Sequence, residues 1–471
     1  MPEQGCNGGV ERVVKQDASA AGAAPERYKG AARQVADWLR FVAVEERGGV
    51  TWSAVPGHST AGEPSLGWGA LGPMVFFADG YRTMGDRAWL ELAERGASWL
   101  RTRLRQADLD VEPGLFTGLA GFSVVFNELG RLGVTVAEDQ ARVFELLASA
   151  ASQSGSGVNW SETTEVLWGT AGIGFMLISI GEGAIGRRAV DLAVQAGDWL
   201  LTVAHRTPEG VRWDLGEGVA RQRPDARHIW FPNFAHGTAG IAAFLARLGA
   251  VTNDERYVDA ARRAAAWILT TCRTDDDTCA ARHHNPGMYR DEIGFGPARA
   301  DGDESPVYTM GWCHGPPGLG WFFRELQLAT GDAAWAQWIA RTARAVRGSG
   351  IPERQEPGFW DNVGRCCGSA GVAEFFLDLH TWRGDPDDLA FAVTMVDDLL
   401  TRAIVDEHGM RWSNIEFRTD PPDLPPETTF FQGASGIGGT LLRLSRHLEG
   451  DRSTVRWPHA PDWSESPTEP G

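Results

Sequence analysis

The chain has 471 residues, of which 43% are hydrophobic and 23% charged, so it can bury a sizeable core and is not disordered as a whole. Its net charge of −18 argues against nucleic-acid binding, because phosphate contacts require Lys and Arg. No apolar run approaches the roughly 18 residues of a membrane span, and the first residues lack the basic and apolar parts of a signal peptide. We therefore expect a cytoplasmic protein that is not transmembrane.

Both ends of the chain are predicted to be disordered tails. Residues 1–25 and 451–471 are rich in Gly, Ala, Ser, Pro and charged side chains, a composition typical of termini without a fixed structure. Residues 26–450 are predicted to form one domain, because an internal repeat covers almost all of them.

The repeat is a Gly-x-x-Gly sequence followed by an apolar, aromatic-rich stretch. Its seven copies begin at Gly69, Gly118, Gly169, Gly237, Gly315, Gly368 and Gly433. A single copy carries little information, and close helix packing is the simplest interpretation of any one glycine. Seven copies with the same apolar tail indicate a repeated structural unit.

A second amphipathic segment follows most copies. One example has its apolar residues on one face at helical spacing: Tyr257, Ala260, Ala261, Ala264, Trp267 and Ile268. Gly-Asp links such as Gly85–Asp86 precede these segments, as a turn and a helix start would. Each unit is therefore a loop, a helix, a turn and a second helix. The sequence predicts an all-α fold, an α/α toroid of seven helical hairpins with seven inner and seven outer helices.

The loops before the inner helices should lie together at one end of such a ring. The residues that would converge there are the pairs before each first glycine: Gly67–Trp68, Phe116–Thr117, Leu167–Trp168, Ala235–His236, Cys313–His314, Cys366–Cys367 and Phe431–Gln432. Reactive side chains gather in the fourth, fifth and sixth pairs. A repeated scaffold alone does not require that clustering.

Three thiols and an imidazole belong to the fifth and sixth pairs, namely Cys313, His314, Cys366 and Cys367. Zinc prefers sulfur and nitrogen ligands in a tetrahedral array, and catalytic zinc keeps one position open after three protein ligands. Convergence of the repeats therefore predicts a metal site. The alternatives are a small buried hydrophobe for each cysteine and a vicinal disulfide for the adjacent pair.

Three motifs resemble those of the LanC-like lanthionine synthetase C family. The segments 312–318 (WCHGPPG) and 365–371 (RCCGSAG) are similar to its two zinc motifs, and 235–240 (AHGTAG) is similar to its upstream His-Gly motif. The resemblance covers roughly residues 28–450 and implies the family's α/α toroid.

The resemblance also implies one Zn²⁺ per chain, held by Cys313, Cys366 and Cys367. Most members have Cys-His-Gly in the second zinc motif, whereas this chain has Cys366-Cys367-Gly368. A site with three thiolates carries more negative charge, so a bound substrate thiolate should be less stabilised by the metal and more nucleophilic.

The reaction that the resemblance implies is a Michael addition. A precursor-peptide Cys thiolate adds to dehydroalanine or dehydrobutyrine and forms a thioether ring, and an acid protonates the α-carbon. His236 is the first candidate for that acid and His314 the second. Glu165 stands where classical members have an Asp that partners the His. Because the chain has no dehydratase domain, a dehydrated peptide from a separate dehydratase partner is expected.

Other functions remain open at this stage. A near variant is addition of glutathione to dehydroamino acids, as eukaryotic relatives perform it. The 20 tryptophans and many acidic residues would suit an α/α-toroid glycosidase or epimerase, which uses paired carboxylates. A non-catalytic LanC-like scaffold is the third alternative.

The remaining reactive or aromatic residues are interpreted more simply. Four tryptophans either line the cavity or pack in the core: Trp68, Trp168, Trp312 and Trp321. The adjacent His283 and His284 have no cysteine nearby in register and are predicted to be a surface pair. Cys272 and Cys279 lie far from any repeat motif and are expected to be free thiols.

Overall fold

A computed structural model describes residues 18–57, 62–106, 109–180, 183–222, 229–284, 307–354, 362–415 and 423–464. Seven helices of these residues form an inner ring: α2 (Leu71–Met84), α4 (Leu119–Arg131), α6 (Thr170–Ser179), α9 (Thr238–Thr252), α11 (Pro316–Thr330), α13 (Ser369–Arg383) and α15 (Ala434–Leu448). Seven more surround them: α1 (Ala18–Phe41), α3 (Arg87–Leu104), α5 (Ala137–Ala150), α7 (Gly183–Thr202), α10 (Glu255–Thr271), α12 (Trp335–Arg347) and α14 (Pro386–Thr401).

The order of contacts closes these helices into a ring. The outer helices α3, α5, α7, α10, α12 and α14 each pack against the inner helix that precedes them, and α1 packs against the last inner helix, α15. Helix α15 in turn packs against the first inner helix, α2. The predicted α/α toroid of seven hairpins is therefore confirmed.

Inner and outer helices differ in how much of their surface is apolar. In α9 every residue from Thr238 to Ala246 is buried, as expected for a helix surrounded by others. Helix α10 buries one face only and begins at the N-cap Asp254, whose side chain accepts a hydrogen bond from the backbone N–H of Arg256. Asp86 caps α3 in the same way, as the Gly-Asp links predict.

Short antiparallel hairpins follow five of the outer helices. They are β1 (Val44–Glu46) with β2 (Gly49–Thr51), β3 (Ser152–Ser154) with β4 (Gly157–Asn159), β5 (His205–Thr207) with β6 (Gly210–Arg212), β7 (Cys272–Arg273) with β8 (Ala280–Ala281), and β9 (Ile404–Asp406) with β10 (Gly409–Arg411). A single 3₁₀ turn, Asp275–Asp277, joins β7 to β8, and the short helix α8 spans Glu217–Gln222. In the first hairpin Val44 pairs with Thr51.

A buried tryptophan follows four of these hairpins and ties the hairpin to its outer helix. Each indole N–H donates to a leucine carbonyl 13 residues earlier: Trp52 to Leu39 at 2.8 Å, Trp160 to Leu147 at 2.9 Å, Trp213 to Leu200 at 2.8 Å and Trp412 to Leu399 at 2.7 Å. This second repeated feature accounts for part of the high tryptophan content. It fixes where the chain turns back toward the inner ring.

The predicted limits of the folded region are too narrow. Helix α1 begins at Ala18, inside the segment 1–25 that was predicted to be a tail. The prediction of a disordered tail is wrong for residues 451–464, because Trp457, His459 and Trp463 are buried among the inner helices. Residues 1–17 and 465–471 lie outside the described part of the chain.

None of the helices in the described ranges combines the length and the apolar character that a membrane span requires.

Candidate functional site

The seven loops before the inner helices are joined by a closed ring of backbone hydrogen bonds. The bonds run from Gly67 N to Phe116 O, Phe116 N to Leu167 O, Val166 N to Ala235 O, Ala235 N to Cys313 O, Cys313 N to Cys366 O, Cys366 N to Phe431 O, and Phe431 N to Gly67 O. The residues before each Gly-x-x-Gly therefore surround one axis, as the repeat predicts. This end of the toroid is called the loop end below.

In six of the seven repeats, the second glycine lets the inner helix start close to its own loop. A Cβ on Gly240 would lie 2.0 Å from the carbonyl oxygen of Phe234, and one on Gly371 would lie 2.1 Å from that of Arg365. Because backbone atoms cannot move aside as a flexible side chain can, only glycine fits these positions. The repeated glycines are thus needed to hold the loops in place.

Three cysteine sulfurs meet at the loop end. The Sγ atoms of Cys313, Cys366 and Cys367 all lie within 4.8 Å of one another, and those of Cys313 and Cys367 are 3.4 Å apart. Cys313 and Cys366 are buried, whereas Cys367 is partly exposed. The Nε2 atom of the Gln432 side chain lies 3.6 Å from the Cys367 sulfur. The predicted convergence of the fifth and sixth repeats is therefore observed.

The cluster can hold a metal ion. Zinc–sulfur bonds of about 2.3 Å in a tetrahedral site place two sulfur ligands ~3.8 Å apart, close to the separations found here. Cys272 and Cys279, also free thiols, lie outside this cluster.

The three thiols interact electrostatically. Hydrogen bonds with the Cys313 and Cys367 thiols, together with burial, raise the pKa of Cys366. Hydrogen bonds from Cys313 and Cys366 lower the pKa of Cys367. One negative charge is thereby favoured on Cys367, the member of the cluster that solvent reaches.

His236 and Glu165 form a pair, as the family resemblance implies. The pair lies beside the cluster, because the backbone N–H of Ala235 donates to the carbonyl of Cys313 at 3.1 Å. The Nδ1 atom of His236 lies 3.0 Å from Oε2 of Glu165, whose side chain is fully buried. The carboxylate also accepts hydrogen bonds from three backbone N–H groups, those of Leu167 at 3.0 Å, Trp168 at 2.6 Å and Gly169 at 3.0 Å. These bonds compensate the burial of a charged group and fix the orientation of the imidazole.

A row of planar side chains continues from His236. The ring centroid of His236 lies 4.9 Å from that of Trp168 and 5.5 Å from that of His314, with 30° between the two imidazole planes. On its other side His314 stacks on His283 at 4.0 Å and 24°. Burial is the main cause that lowers the pKa of His314 well below its usual value and that of His283 to about 3. Both imidazoles are therefore neutral at physiological pH.

The prediction that His283 and His284 form a surface pair is wrong for His283. Its side chain is only 4% exposed, because the buried Asn233 donates to the carbonyls of Arg282 and His283, both at 2.9 Å. These bonds join the residues that follow β8 to the loop before α9. Asn233 lies four residues before Gly237, as Glu165 lies four before Gly169, and this spacing is the only sequence signal of its role.

The four tryptophans considered from the sequence divide into two groups. Trp68 and Trp168 are partly exposed and stacked at 6.2 Å, so they border the site next to His236. Trp312 and Trp321 are 5% and 6% exposed and belong to the core beneath the loops.

The fold and the site together define an α/α-toroid protein with a three-thiol centre at one end of the ring. The family model described as lanthionine synthetase C-like protein matches residues 60–460. The chain belongs to this family, as its motifs indicate.

Several solved structures are similar to the chain. Nisin cyclase is similar at 14% identity and a TM-score of 0.58, over 92% of this chain and 97% of that one. An α-mannanase of Bacteroides thetaiotaomicron matches at 10% identity and a TM-score of 0.47, over 91% of this chain and 99% of that one. A heparin-specific unsaturated glucuronyl hydrolase matches at 11% identity and a TM-score of 0.45, over 91% of this chain and 100% of that one. At these identities the nisin cyclase match shows the fold alone. No curated protein matches the chain in sequence.

Proposed function

We propose that this protein is a zinc-dependent cyclase that adds a peptide cysteine thiolate to dehydroalanine or dehydrobutyrine and so forms a thioether ring. The observation that carries the proposal is the position of the three-thiol cluster beside the His236–Glu165 pair, in a toroid of the lanthionine synthetase C-like family. The substrate would be a dehydrated precursor peptide, and a separate dehydratase would supply it. We place the reaction in the cytoplasm, where thiols stay reduced.

Cys313, Cys366 and Cys367 would hold the zinc ion. Zinc, when bound, supplies a Lewis acid that keeps a substrate thiol deprotonated at neutral pH. Three thiolate ligands give the centre more negative charge than two thiolates and an imidazole, which favours a reactive substrate sulfur. The partial exposure of Cys367 is consistent with access for that sulfur from solvent.

Bond formation requires a proton on the substrate. The thiolate sulfur bonds to the β-carbon, the double-bond electrons move toward the carbonyl as an enolate, and the α-carbon then takes a proton. His236 is the proposed donor, because Glu165 holds its Nδ1 and would stabilise the charged imidazolium. His314 lies between the rings of His236 and His283 and is proposed to position His236.

The test begins with elemental analysis of the purified protein. We expect about one zinc per chain in the wild type and a loss of zinc in Cys367→Ala. Cys279→Ala is the matched control, because it removes a buried thiol outside the cluster. Wild-type protein without zinc, after purification with zinc supplied, would contradict the proposal.

The second step is an activity assay with a synthetic peptide that contains one dehydroalanine and one cysteine. Cyclisation leaves the peptide mass unchanged but removes the thiol that N-ethylmaleimide would label. The same assay with added glutathione separates the two thiol additions, because an adduct in trans raises the mass by one glutathione. Zinc-loaded protein with neither product would favour a scaffold.

A further inference from the structure

The C-terminal segment 451–464 enters the toroid from the end opposite the thiols. It contacts Arg131 in the last turn of α4 and Arg446 near the end of α15. It then turns, with the backbone N–H of Ala460 donating to the carbonyl of Trp457 at 3.1 Å. This turn places His459 at the tip of the segment, against the underside of the loops.

Arginine side chains of the inner helices bind the main chain of this segment. They donate to five carbonyls spread over the segment: Arg446 to Ser453 at 3.2 Å, Arg131 to Thr454 at 3.2 Å, Arg247 to Pro458 and to Ala460 at 2.7 Å, and Arg324 to Asp462 at 2.9 Å. In addition, Glu128 accepts from the backbone N–H of Arg456 at 3.0 Å. Buried backbone groups of the segment are thus paired along its length, as a fixed structural element requires.

Two side chains of the segment touch the residues that directly precede the thiols. His459 packs against Trp312, the residue before Cys313, with ring centroids 5.4 Å apart. The ring of Trp457 lies 5.3 Å from the guanidinium carbon of Arg365, the residue before Cys366. Both contacts are made on the side of the loops that faces the interior of the toroid.

Arg365 is held from several directions. Its guanidinium lies over the ring of Phe430 at 4.9 Å as well as over Trp457, and it pairs with the buried Glu374 at 2.9 Å. The two rings lie side by side, with centroids 4.5 Å apart, and a guanidinium that contacts both of them and a buried carboxylate has little freedom to move. Loss of Trp457 would remove one of the two ring contacts of Arg365.

We infer that the segment 451–464 positions the thiol cluster, with Trp457 and His459 supporting the two loops that carry Cys313, Cys366 and Cys367. The inference rests on the proposed function, because it concerns the same metal site. These two side chains are positioning residues that act through Arg365 and Trp312. They differ in this respect from Trp463, which packs against Phe375 and Trp382 of helix α13.

The two tryptophans of the segment make a matched pair. Trp457 and Trp463 are 8% and 5% exposed, so Trp457→Ala and Trp463→Ala each remove a buried indole from the same stretch of chain. A segment that only fills space would give both variants the same effect. A positioning segment predicts that Trp457→Ala alone disturbs the metal site.

The readout is the rate at which a chromogenic chelator takes zinc from the folded protein. We expect Trp457→Ala to release zinc about tenfold faster than Trp463→Ala, since residues behind metal ligands typically affect metal affinity by 10- to 100-fold. Urea unfolding of both variants shows whether their stabilities are comparable. Equal release rates would overturn the inference while leaving the proposed function intact.

Further variants keep the test decisive if Trp457→Ala does not fold. Trp457→Phe retains a ring over Arg365 and should release zinc like the wild type, whereas Trp457→Leu should release it faster. Equal rates for these two would overturn the inference.

If the wild type holds no zinc, the proposed function fails but the inference is still testable. Iodoacetamide should then alkylate Cys313, Cys366 and Cys367 faster in Trp457→Ala than in Trp463→Ala. Equal alkylation rates would overturn it.

Discussion

The two ends of the toroid are held closed in different ways. At the loop end, backbone hydrogen bonds join seven equivalent loops into a ring. At the opposite end, arginine side chains of four inner helices bind one segment that occurs once in the chain. The first arrangement repeats with the sequence, and the second does not. The comparison teaches that the repeat builds the frame of the site, whereas non-repeated contacts support it from behind.

The largest expected effect is at the loop end, at the proposed proton donor. His236→Gln should lower the rate of cyclisation by on the order of 10²–10⁴-fold, because general acid catalysis contributes about that much. Zinc content and unfolding in urea should stay close to wild type, since His236 is not a proposed ligand. Cyclisation of the dehydroalanine peptide measures the change.

His408→Gln is the control for this prediction, because the side chain of His408 is 42% exposed and lies in the turn between β9 and β10, outside the loops. It should behave as the wild type does. A His236→Gln variant with normal activity would remove His236 from the mechanism and leave the thiol cluster as the only proposed catalytic feature.

The next effect concerns the frame itself. Gly371→Ala should destabilise the protein by roughly 3 kcal/mol, because its Cβ would meet the backbone oxygen of Arg365 at 2.1 Å and overpacking of this kind cannot relax through a side chain. Zinc retention should fall as well, because Arg365 precedes Cys366. Urea unfolding followed by intrinsic fluorescence measures the loss.

The matched change is Gly30→Ala in the outer helix α1. No atom lies within 4 Å of a Cβ built on Gly30, so alanine should stabilise the helix by up to about 1 kcal/mol. Similar stabilities for the two variants would show that the glycines of the repeat are not needed for close approach.

The smallest effect is a pH dependence that involves both ends of the ring. His283 at the loop end and His447 near the end of α15 each have a pKa of about 3, in both cases mainly because of burial. Unfolding restores an ordinary value near 6.5, so the unfolded chain binds more protons below that pH. Stability should therefore fall as the pH drops below about 6.5, by roughly 1.4 kcal/mol per pH unit for each histidine.

His447→Gln should remove the contribution of one histidine to the dependence of stability on pH. Its ring nitrogen Nε2 lies 3.2 Å from Oγ1 of Thr381, a contact that a glutamine side chain can also make. The free energy of unfolding measured at several values between pH 7 and pH 5 tests the prediction. An unchanged slope would mean that His447 remains neutral in the unfolded chain or charged in the folded one.

Much of the site was predictable because it is part of the repeat. The equivalent positions before each Gly-x-x-Gly place Cys313, Cys366 and Cys367 near one another in any closed ring of these units. The pairing of His236 with Glu165 was implied by the family resemblance, in which Glu165 stands where an Asp partners the His. In these cases, the closed ring brings residues at equivalent repeat positions close together in space, although they are far apart in sequence.

Other features have no repeated counterpart and were predicted wrongly. The composition of residues 451–464 is polar and irregular, yet Trp457, His459 and Trp463 are buried, and arginines on inner helices pair with carbonyls of the segment. His283 is buried, and its own backbone carbonyl accepts a hydrogen bond from Asn233, which is 50 residues away in sequence. Neither contact leaves a periodic signal in the sequence.

By itself, the sequence determined the ring of helical hairpins, the loop end and the residues that gather there. These depend on apolar periodicity and on glycines at fixed intervals, both of which are local properties of the chain. Only the tertiary structure decided which side chains lie behind the thiols and beside His314. Those contacts join distant residues through burial and hydrogen bonds, and their energies depend on partners that no local pattern specifies.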